Sequence, residues 1–118
     1  NGEIDYSKNN ITGIPNSFHK LSLNYSNDKG MNLVISWKRV GKIYTNNSNT
    51  SLVTGYNLIN FNFSKKVFLF GLDVTPFLAI GNLLNEKYID NIRINAFGSR
   101  FYEAAPKINF VSGIKFNL

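Results

Sequence analysis

Apolar and polar residues alternate along most of the chain, with the period of two that side chains have on a β-strand. Residues 107–118 show the pattern most clearly, because one parity is almost wholly apolar and the other is polar or small. The apolar parity contains Ile108, Phe110, Ile114, Phe116 and Leu118, with Ser112 among them. A soluble edge strand can have this pattern, and a strand with one face in lipid and the other in water is expected to have it.

Four earlier segments alternate in the same way and are also predicted to be strands. They are residues 19–26, 31–38, 59–64 and 75–84, of which the last is the least regular. Residues 3–7 are long enough only for the stub of a further strand. The sequence therefore predicts an all-β fold of about six strands, counting the stub.

The connections between these strands are short and long in turn. Residues 27–30 and 70–73 have the composition of compact turns. Residues 9–17, 41–55 and 90–106 form longer polar connections. Up-and-down barrels of outer membranes have short turns on one side and long loops on the other, so the alternation favours an antiparallel up-and-down meander.

The predicted strands have the length of membrane-spanning strands, but they are too few to close a barrel. Transmembrane β-strands have about 9–11 residues. An open sheet in lipid would leave N–H and C=O groups unpaired at both edges, each at a cost of several kcal/mol. We therefore expect this meander to be part of a larger transmembrane β-barrel. No purely apolar run is longer than that of residues 67–70, which is far too short for a membrane-spanning helix.

Composition narrows the class of protein further. Hydrophobic residues make up 43% of the 118 positions and charged residues 17%, so the chain is not of the disordered class. The sequence contains no Cys, which excludes a disulfide scaffold and thiol catalysis. It begins with Asn1 and opens on no signal-peptide pattern, so we expect either a mature product or a fragment of a longer chain.

The charge is basic but dispersed. Thirteen Lys and Arg residues against seven Asp and Glu residues give a net charge of +6. The only basic pairs are Lys38 with Arg39 and Lys65 with Lys66. With no basic helix and no ribonucleoprotein motif, nucleic acid is not an expected partner. A basic balance is also compatible with an anionic ligand or an anionic membrane surface.

Three motifs resemble those of a known family, in order and in spacing. Residues 14–19 place a Pro and a His at the entry of a strand that ends in Tyr25. Residues 56–61 read Tyr-Asn-Leu-Ile-Asn-Phe, and residues 81–88 read Gly-Asn-Leu-Leu-Asn-Glu-Lys-Tyr. A long loop, a Pro and an alternating last strand follow them. In this arrangement the chain resembles the C-terminal end of a TonB-dependent outer-membrane receptor barrel.

The resemblance covers residues 13–118, and it implies a 22-stranded barrel with an N-terminal plug. Leu84 and Leu118 stand where the family usually has Phe. Receptors of this family take up ferric siderophores, cobalamin, haem or sugars with energy coupled through TonB. The partners implied are the TonB system, a plug domain outside these 118 residues, and outer-membrane lipid. No cofactor is implied.

The residue types for enzymatic chemistry are sparse, so an enzyme is not expected. His19 is the only His, and a metal site requires several ligands at fixed spacing. The sequence has no Gly-x-Ser-x-Gly motif and no Gly-rich phosphate-binding loop. Glu86 and Asp90 form one close pair of carboxylates, and a solvated loop end explains them.

The long loops contain the candidate ligand contacts. Arg93 and Arg100 flank the last loop, and Arg presents planar donors to carboxylate or phosphate groups. Tyr44 and Tyr102 lie in the two long C-terminal connections and complete the set. These four residues predict a site for an anionic small molecule. Salt bridges within the loop, or contacts with lipopolysaccharide phosphates, would explain the same arginines.

Two further sets of residues are predicted from the barrel hypothesis. Aromatic residues near strand ends are expected to form interfacial girdles, or the core or rim of a soluble sandwich; they are Trp37, Tyr44, Tyr56, Tyr88 and Tyr102. Residues expected to face a hydrated interior are Asn60, Asn62, Asn109, Lys115 and Asn117.

Two other hypotheses for the class of protein remain. One is a soluble all-β binding module, such as a sandwich or lipocalin-like barrel, and the other is a small porin-like barrel.

Overall fold

A computed structural model of the chain describes residues 4–92 and 102–117, with residues 92 and 102 described by their backbone alone. Ten β-strands make up the regular structure of these ranges. They are β1 (Phe18–Ser26), β2 (Met31–Val40), β3 (Ile43–Tyr44), β4 (Leu52–Val53), β5 (Tyr56–Lys65), β6 (Val67–Leu69), β7 (Leu72–Gly81), β8 (Ile89–Ile92), β9 (Tyr102–Ala104) and β10 (Asn109–Asn117). In the same ranges, no helix has the length and apolar character needed to cross a membrane.

The long strands form one sheet in the order β1-β2-β5-β7-β10, and the short strand β6 also pairs with β7. The pairs β5–β7, β6–β7 and β7–β10 are antiparallel. Each strand in this order follows the previous long strand along the chain, as in a meander. The predicted all-β, antiparallel meander is therefore confirmed, and each of the five full strands predicted from alternation corresponds to one long strand.

The sixth strand of the sheet is not the one that the sequence suggests. Residues 4–7, the described part of the predicted stub, belong to no strand. Instead, the N–H of Ser7 donates to the Asp5 carboxylate at 2.8 Å, and the N–H of Asn9 donates to the carbonyl of Tyr6 at 2.9 Å. These bonds close a local turn, so the stub prediction was wrong and β6 is the sixth strand.

The register places the apolar side chains of three neighbouring strands on one face. Residues that lie directly opposite each other on paired strands point to the same side of a sheet. Phe61 lies opposite Ile80, which lies opposite Phe110 on its other side. We call the resulting surface the apolar face, and it contains Phe61, Phe63, Val67, Leu69, Leu72, Val74, Pro76, Leu78, Ile80, Phe110, Ile114 and Phe116.

The opposite face of the same strands, the polar face, has small and polar side chains with isolated apolar ones. Its paired positions include Asn62, Ser64, Thr75, Phe77, Ala79, Gly81, Asn109, Val111, Gly113, Lys115 and Asn117. Asn62, Asn109, Lys115 and Asn117 therefore share one face, as alternation predicts. That this face borders a hydrated interior stays a prediction.

Pairing between β5 and β7 stops at Lys65 and resumes, in the same register, between β6 and β7. The gap lies opposite Pro76, whose nitrogen carries no hydrogen and so cannot donate to the ladder. The N–H of Lys66 donates instead to the carbonyl of Gly30, in the turn between β1 and β2, at 2.8 Å. Because the register is unchanged across the gap, Lys65 falls on the apolar face, level with that turn.

Gly113 provides space for the ring of Phe77 on the polar face. The two residues are paired across β10 and β7, and a Cβ at Gly113 would lie 2.7 Å from two atoms of the Phe77 ring. A Gly is normally unfavourable inside a strand, but here an aromatic side chain covers it.

Replacing Gly113 by Ala is expected to lower the free energy of unfolding by about 1–2 kcal/mol, because the new methyl group displaces the ring. In a Phe77→Ala background, the same substitution should be neutral or stabilising. A double-mutant cycle from urea unfolding, with all four proteins in the same medium, measures the coupling. Equal effects in both backgrounds would contradict the contact.

The described residues divide into two compact units. The loop unit comprises residues 4–19, 39–56, 87–92 and 102–105, and the sheet unit comprises residues 20–38, 57–86 and 106–117. Few hydrophobic side chains of the described ranges are buried; they are Val40, Val53 and Tyr56 of the loop unit and Leu58 of the sheet unit. Most large apolar side chains of β1, β6 and β10 are exposed instead.

Candidate functional site: the loop unit

The loop between β2 and β5 is built around a short hairpin that the alternation pattern does not reveal. Ile43 pairs with Val53 and Tyr44 with Leu52, and Pro15 forms an isolated bridge with Ile43. Beyond the hairpin, the fully buried Thr45 donates its hydroxyl to Ser51 at 2.8 Å. The polar run of this connection is thus an ordered turn rather than a simple linker.

Asn46 closes this turn from within. Its side-chain oxygen accepts the N–H groups of Thr50 at 3.0 Å and Ser51 at 3.2 Å, and its amide nitrogen donates to the Thr50 hydroxyl at 2.7 Å. Asn side chains imitate backbone groups in this way in turns. The closed turn holds the neighbouring Asn side chains in fixed positions.

Side-chain amides then join this turn to the N-terminal loop, and we call these contacts the amide clasp. Asn9 donates to the carbonyl of Asn47 at 2.8 Å, and the Thr12 hydroxyl donates to the Asn47 side chain at 2.9 Å. Asn49 accepts from the N–H of Asn10 at 2.7 Å and donates to its carbonyl at 3.0 Å. In this part of the chain, several Asn side chains hold two loops together by hydrogen bonds. The amino-acid composition alone did not indicate this role.

Tyr44, one of the predicted ligand contacts, is half-buried beside this clasp. Its carbonyl accepts the N–H of Gly13 at 2.8 Å, and the Lys42 ammonium lies 5.4 Å from the centre of its ring. A cleft of about 210 Å³ adjoins the ring. The lining of this cleft includes Asn10, Ile11, Ile14, Pro15 and Asn16. The cleft presents an aromatic surface and neutral amides to a small molecule.

The structure describes the other three predicted ligand contacts only in part or not at all. Arg93 and Arg100 lie outside the described residues. Tyr102 begins β9, where its backbone lies opposite Ile92. The joint site of two arginines and two tyrosines therefore stays a prediction.

A second aromatic feature of the loop unit joins two residues that belong to different sequence motifs. The rings of Tyr56 and Tyr88 are 4.5 Å apart between centres and inclined by 36°. Such tilted pairs contribute about 0.5–1.5 kcal/mol beyond the area they bury. Burial raises the pKa of the Tyr88 hydroxyl, and the Asp90 carboxylate raises it further, so this hydroxyl stays protonated at neutral pH.

A cleft of about 250 Å³ lies beside Tyr88. Its lining consists of Val53, Thr54, Lys87, Tyr88, Ile89 and Ala104. Lys87 is exposed and contributes a cation, while Thr54 and Tyr88 carry hydroxyl groups and the remaining lining is apolar. This combination suits a small ligand with an apolar body and a negative group.

The most specific motif of the resemblance, residues 81–88, lies mainly in the sheet unit and has a structural role. Asn82 is 3% exposed and adopts a positive φ of 52°. Its side chain accepts the N–H of Glu86 at 2.8 Å and donates to the carbonyls of Glu86 at 2.8 Å and Pro106 at 3.2 Å. Its own N–H donates to the Asn60 side chain at 2.9 Å. Asn82 thus fixes the chain where it leaves β7.

Asn85 of the same motif acts on the chain that returns to β10. It too has a φ of 52°, a region that Asn tolerates better than most residues. Its side-chain oxygen accepts the N–H of Ile108 at 3.1 Å. The two Asn residues therefore hold both ends of the last long connection.

Within the described ranges, no group of three or more His, Cys, Asp and Glu side chains is placed to hold a metal ion. Every buried side-chain nitrogen and oxygen atom of those ranges has a hydrogen-bond partner. No family model matches the sequence. The clefts beside Tyr44 and Tyr88 are the candidate binding features that we describe in the loop unit.

Proposed function

We propose that the chain is the C-terminal part of the barrel wall of a TonB-dependent outer-membrane receptor, which binds an anionic small molecule and passes it inward. The observation that carries the proposal is the apolar face. Phe110 is 75% exposed and Ile114 is 58% exposed on this face. A surface this apolar is unfavourable in contact with water, so another apolar surface is expected to contact it. Lipid can do so without having a complementary shape.

The height of the apolar face supports a lipid contact. Its positions on β7 run from Leu72 to Ile80, a distance of about 27 Å at about 3.4 Å per residue. A strand tilt of about 40° reduces this to about 21 Å, close to the roughly 25 Å apolar band of outer-membrane barrels.

The two sheet edges support a wall that continues beyond these residues. β1 and β10 each have one strand neighbour within the described ranges. Their other edges carry rows of N–H and C=O groups that lipid cannot satisfy. Further strands on both sides would pair with these N–H and C=O groups. Such a continued sheet is the larger barrel that the sequence predicts.

The loops support a binding role. The clefts beside Tyr44 and Tyr88 both have aromatic surface, and Lys87 lines the second of them. Arg93 and Arg100 would add bidentate donors for an anionic ligand. In this proposal Arg93, Arg100, Tyr102 and Tyr44 are the ligand contacts. The TonB system would act through a plug domain outside the 118 residues, and the protein would need neither a cofactor nor bond chemistry.

Lys65 is the one observation that favours a soluble all-β binding module instead, because it places a charge on the apolar face. Its neighbour Lys66 bonds to Gly30 in the turn between β1 and β2. Lys65 is level with the turn between β1 and β2, but the unchanged register also places it opposite Pro76, in the middle of the Leu72–Ile80 positions and on the same rung as Ile114. In a lipid-facing wall its side chain would have to extend along the sheet for the ammonium to reach water.

Cysteine labelling of the two faces tests the proposal directly, because none of the 118 residues is Cys. The protein is reconstituted in phospholipid vesicles and treated with a water-soluble maleimide. Phe110→Cys and Ile114→Cys on the apolar face should be protected, whereas Val111→Cys and Lys115→Cys on the polar face should react. Equal reaction at all four positions would exclude the lipid-facing wall.

A further inference from the structure

Asn47 differs from the other Asn residues of the turn between β3 and β4 in the groups that its neighbours leave unpaired. The backbone N–H of Ser48, the next residue, donates to no acceptor of the described ranges. The side-chain nitrogen of Asn47 has no hydrogen-bond partner in those ranges either. Both residues are exposed to water. The nitrogen that follows Asn47 and the nitrogen that ends its side chain are therefore open to reaction.

These two nitrogen atoms are the ones that take part when an Asn residue loses its amide. The backbone nitrogen of the next residue gives up its proton and forms a bond to the side-chain carbonyl carbon, and the side-chain nitrogen leaves as ammonia. Water then opens the resulting succinimide ring at either carbonyl, which gives Asp or isoaspartate. Water is the only reactant consumed, so no cofactor is needed. This lability makes Asn one of the residues that heat damages most readily.

The Thr12 hydroxyl adds a feature that favours this reaction at Asn47. It donates to the side-chain oxygen of Asn47 at 2.9 Å. Negative charge develops on that oxygen when the nitrogen of Ser48 attacks, and a donor already in place stabilises such charge. Asn47 thus combines an unpaired nucleophile, an unpaired leaving group and a hydrogen-bonded carbonyl oxygen.

The neighbouring Asn residues of the turn lack this combination. The side-chain oxygen of Asn46 accepts two backbone N–H groups, and its side-chain nitrogen donates to the Thr50 hydroxyl at 2.7 Å. The residue after Asn49 is Thr50, whose N–H is already donated to Asn46 at 3.0 Å and whose branched side chain crowds the backbone. Because hydrogen bonds to the reacting groups must open first, both residues are expected to react more slowly than Asn47.

Asn16 has the same following residue as Asn47, so the two sites differ in the fold and not in the dipeptide. Residues 16–17 and residues 47–48 both read Asn-Ser. Backbone bonds from the N–H of Asn16, at 3.0 Å, and to the carbonyl of Ser17, at 2.8 Å, join the first pair to the chain after β2. In the part of the chain that the structure describes, no backbone–backbone bond holds the second pair. Asn16 is thus a matched reference for Asn47.

We propose that Asn47 is a site of spontaneous deamidation, activated by the Thr12 hydroxyl, and that its conversion opens the amide clasp. In isoaspartate the chain continues through the former side chain, so the carbonyl that accepts from Asn9 becomes a displaced carboxylate. Either product also puts a negative charge on a cleft of about 330 Å³ whose lining, which includes Tyr6 and Asn10, is now neutral. The conversion needs neither lipid nor a ligand, so it does not depend on the proposed function.

Mass spectrometry of the ageing protein tests the site. The full folded chain is incubated in isotopically labelled water at mildly alkaline pH, so each succinimide that opens during the incubation takes up the label. Fragmentation of the peptides gives the extent of conversion at each Asn. Conversion at Asn47 should be roughly tenfold faster than at Asn16, a ratio that corresponds to about 1.4 kcal/mol, or about one hydrogen bond. Equal rates in the folded chain would overturn the proposal.

The same incubation in urea shows whether the fold is the source of the difference. Asn16 and Asn47 should then react at similar rates, because Ser follows both and unfolding removes every restraint. A preference for Asn47 that persists in the unfolded chain would assign it to the flanking sequence, which also contradicts the proposal.

Two variants of Thr12 test the activation. Thr12→Val removes the donor to the Asn47 oxygen and should slow the conversion several-fold. Thr12→Ser retains a hydroxyl and should preserve the rate of the unmodified protein. A rate in Thr12→Val that is unchanged or higher would overturn the activation by Thr12.

Hydrogen exchange measures the opening of the clasp. The N–H of Asn10 donates to the Asn49 side chain at 2.7 Å within the clasp. In aged protein this N–H should exchange faster than in fresh protein, since local opening exposes it to water. Asn47→Gln is the control, because its longer side chain closes a less favourable ring, and its exchange at Asn10 should not change with age. Unchanged exchange at Asn10 after conversion of Asn47 would overturn the opening of the clasp.

Discussion

Replacing Ile114 by Arg is expected to lower the stability of the protein in a phospholipid bilayer by about 2–4 kcal/mol. Ile114 lies between Phe110 and Phe116 on the apolar face of β10 and opposite Pro76 of β7. If that face contacts lipid, Arg at this depth loses its hydration without gaining a partner, and that loss is the source of the expected cost. Urea unfolding of the reconstituted protein, followed by circular dichroism or by electrophoretic mobility, measures the change.

Val111 provides a matched control on the same strand. It is 60% exposed, against 58% for Ile114, but it lies on the polar face. Val111→Arg should therefore cost less than about 1 kcal/mol in a bilayer, since its side chain would reach water. A soluble edge strand predicts small and similar costs for both variants. Equal losses at the two positions would thus contradict a lipid-facing wall, whatever their size.

Replacing Asn82 by Ala is expected to lower the free energy of unfolding by about 3 kcal/mol. Its side chain satisfies the N–H and the carbonyl of Glu86 and the carbonyl of Pro106. Leaving a buried polar group without a partner costs about 1–3 kcal/mol, and Ala is also disfavoured at the positive φ of this position. Equilibrium unfolding in one detergent or lipid medium measures the loss.

Three further variants separate the causes of that loss. Asn82→Gly permits the positive φ but removes the side-chain bonds, so it should recover only the backbone part. Asn82→Asp retains the acceptor for Glu86 and loses both donors, so its cost should be intermediate. Asn62→Ala, at an exposed position of β5, should change the stability by less than about 0.5 kcal/mol. If Asn82→Gly restored full stability, the hydrogen bonds would not be the source of the effect.

The long strands were predictable because alternation is a direct consequence of strand geometry. In β10, every second side chain from Phe110 to Phe116 points to one face, and a shift by one residue would move the whole set to the other. The turn at residues 27–30 was equally readable, since Asn27 accepts the N–H groups of Lys29 and Met31 as Asn does in tight turns. The sequence therefore determined the fold class and the order of the main strands.

The short strands and the polar contacts were not predictable from the same pattern. β3 and β4 contain two residues each, too few for any period to be visible. The amide clasp depends on which Asn side chain meets which backbone group, and a run such as Asn46-Asn47-Ser48-Asn49 allows many such pairings. Residues 4–7 alternate like a strand, but the Asp5 carboxylate binds the N–H of Ser7 and favours a turn instead. Local hydrogen bonds outweighed a weak pattern there.

The candidate site was predictable only as far as its residue types. Tyr44 was identified from its place in a polar loop, and it does line a cleft. The pair of Tyr56 and Tyr88 joins residues more than thirty positions apart, and nothing in the sequence indicates that their rings meet. Arg93 and Arg100 remain predicted ligand contacts. Contacts between distant loops depend on the packing of side chains, which a single sequence does not specify.

The hairpins within the long connections also bear on how fast the sheet can form. The entropy lost on closing a loop grows with its length, by about 0.6 kcal/mol for each doubling. Once Ile43 has paired with Val53, and Ile89 with Ala104, the chain that separates β2 from β5 and β7 from β10 is effectively shorter. The ends of neighbouring sheet strands are then already close when the strands pair. This lowers the effective contact order and should speed folding. The loops that line the clefts would thus also serve as folding aids, and shortening them by deletion need not slow assembly as long as both ends stay close.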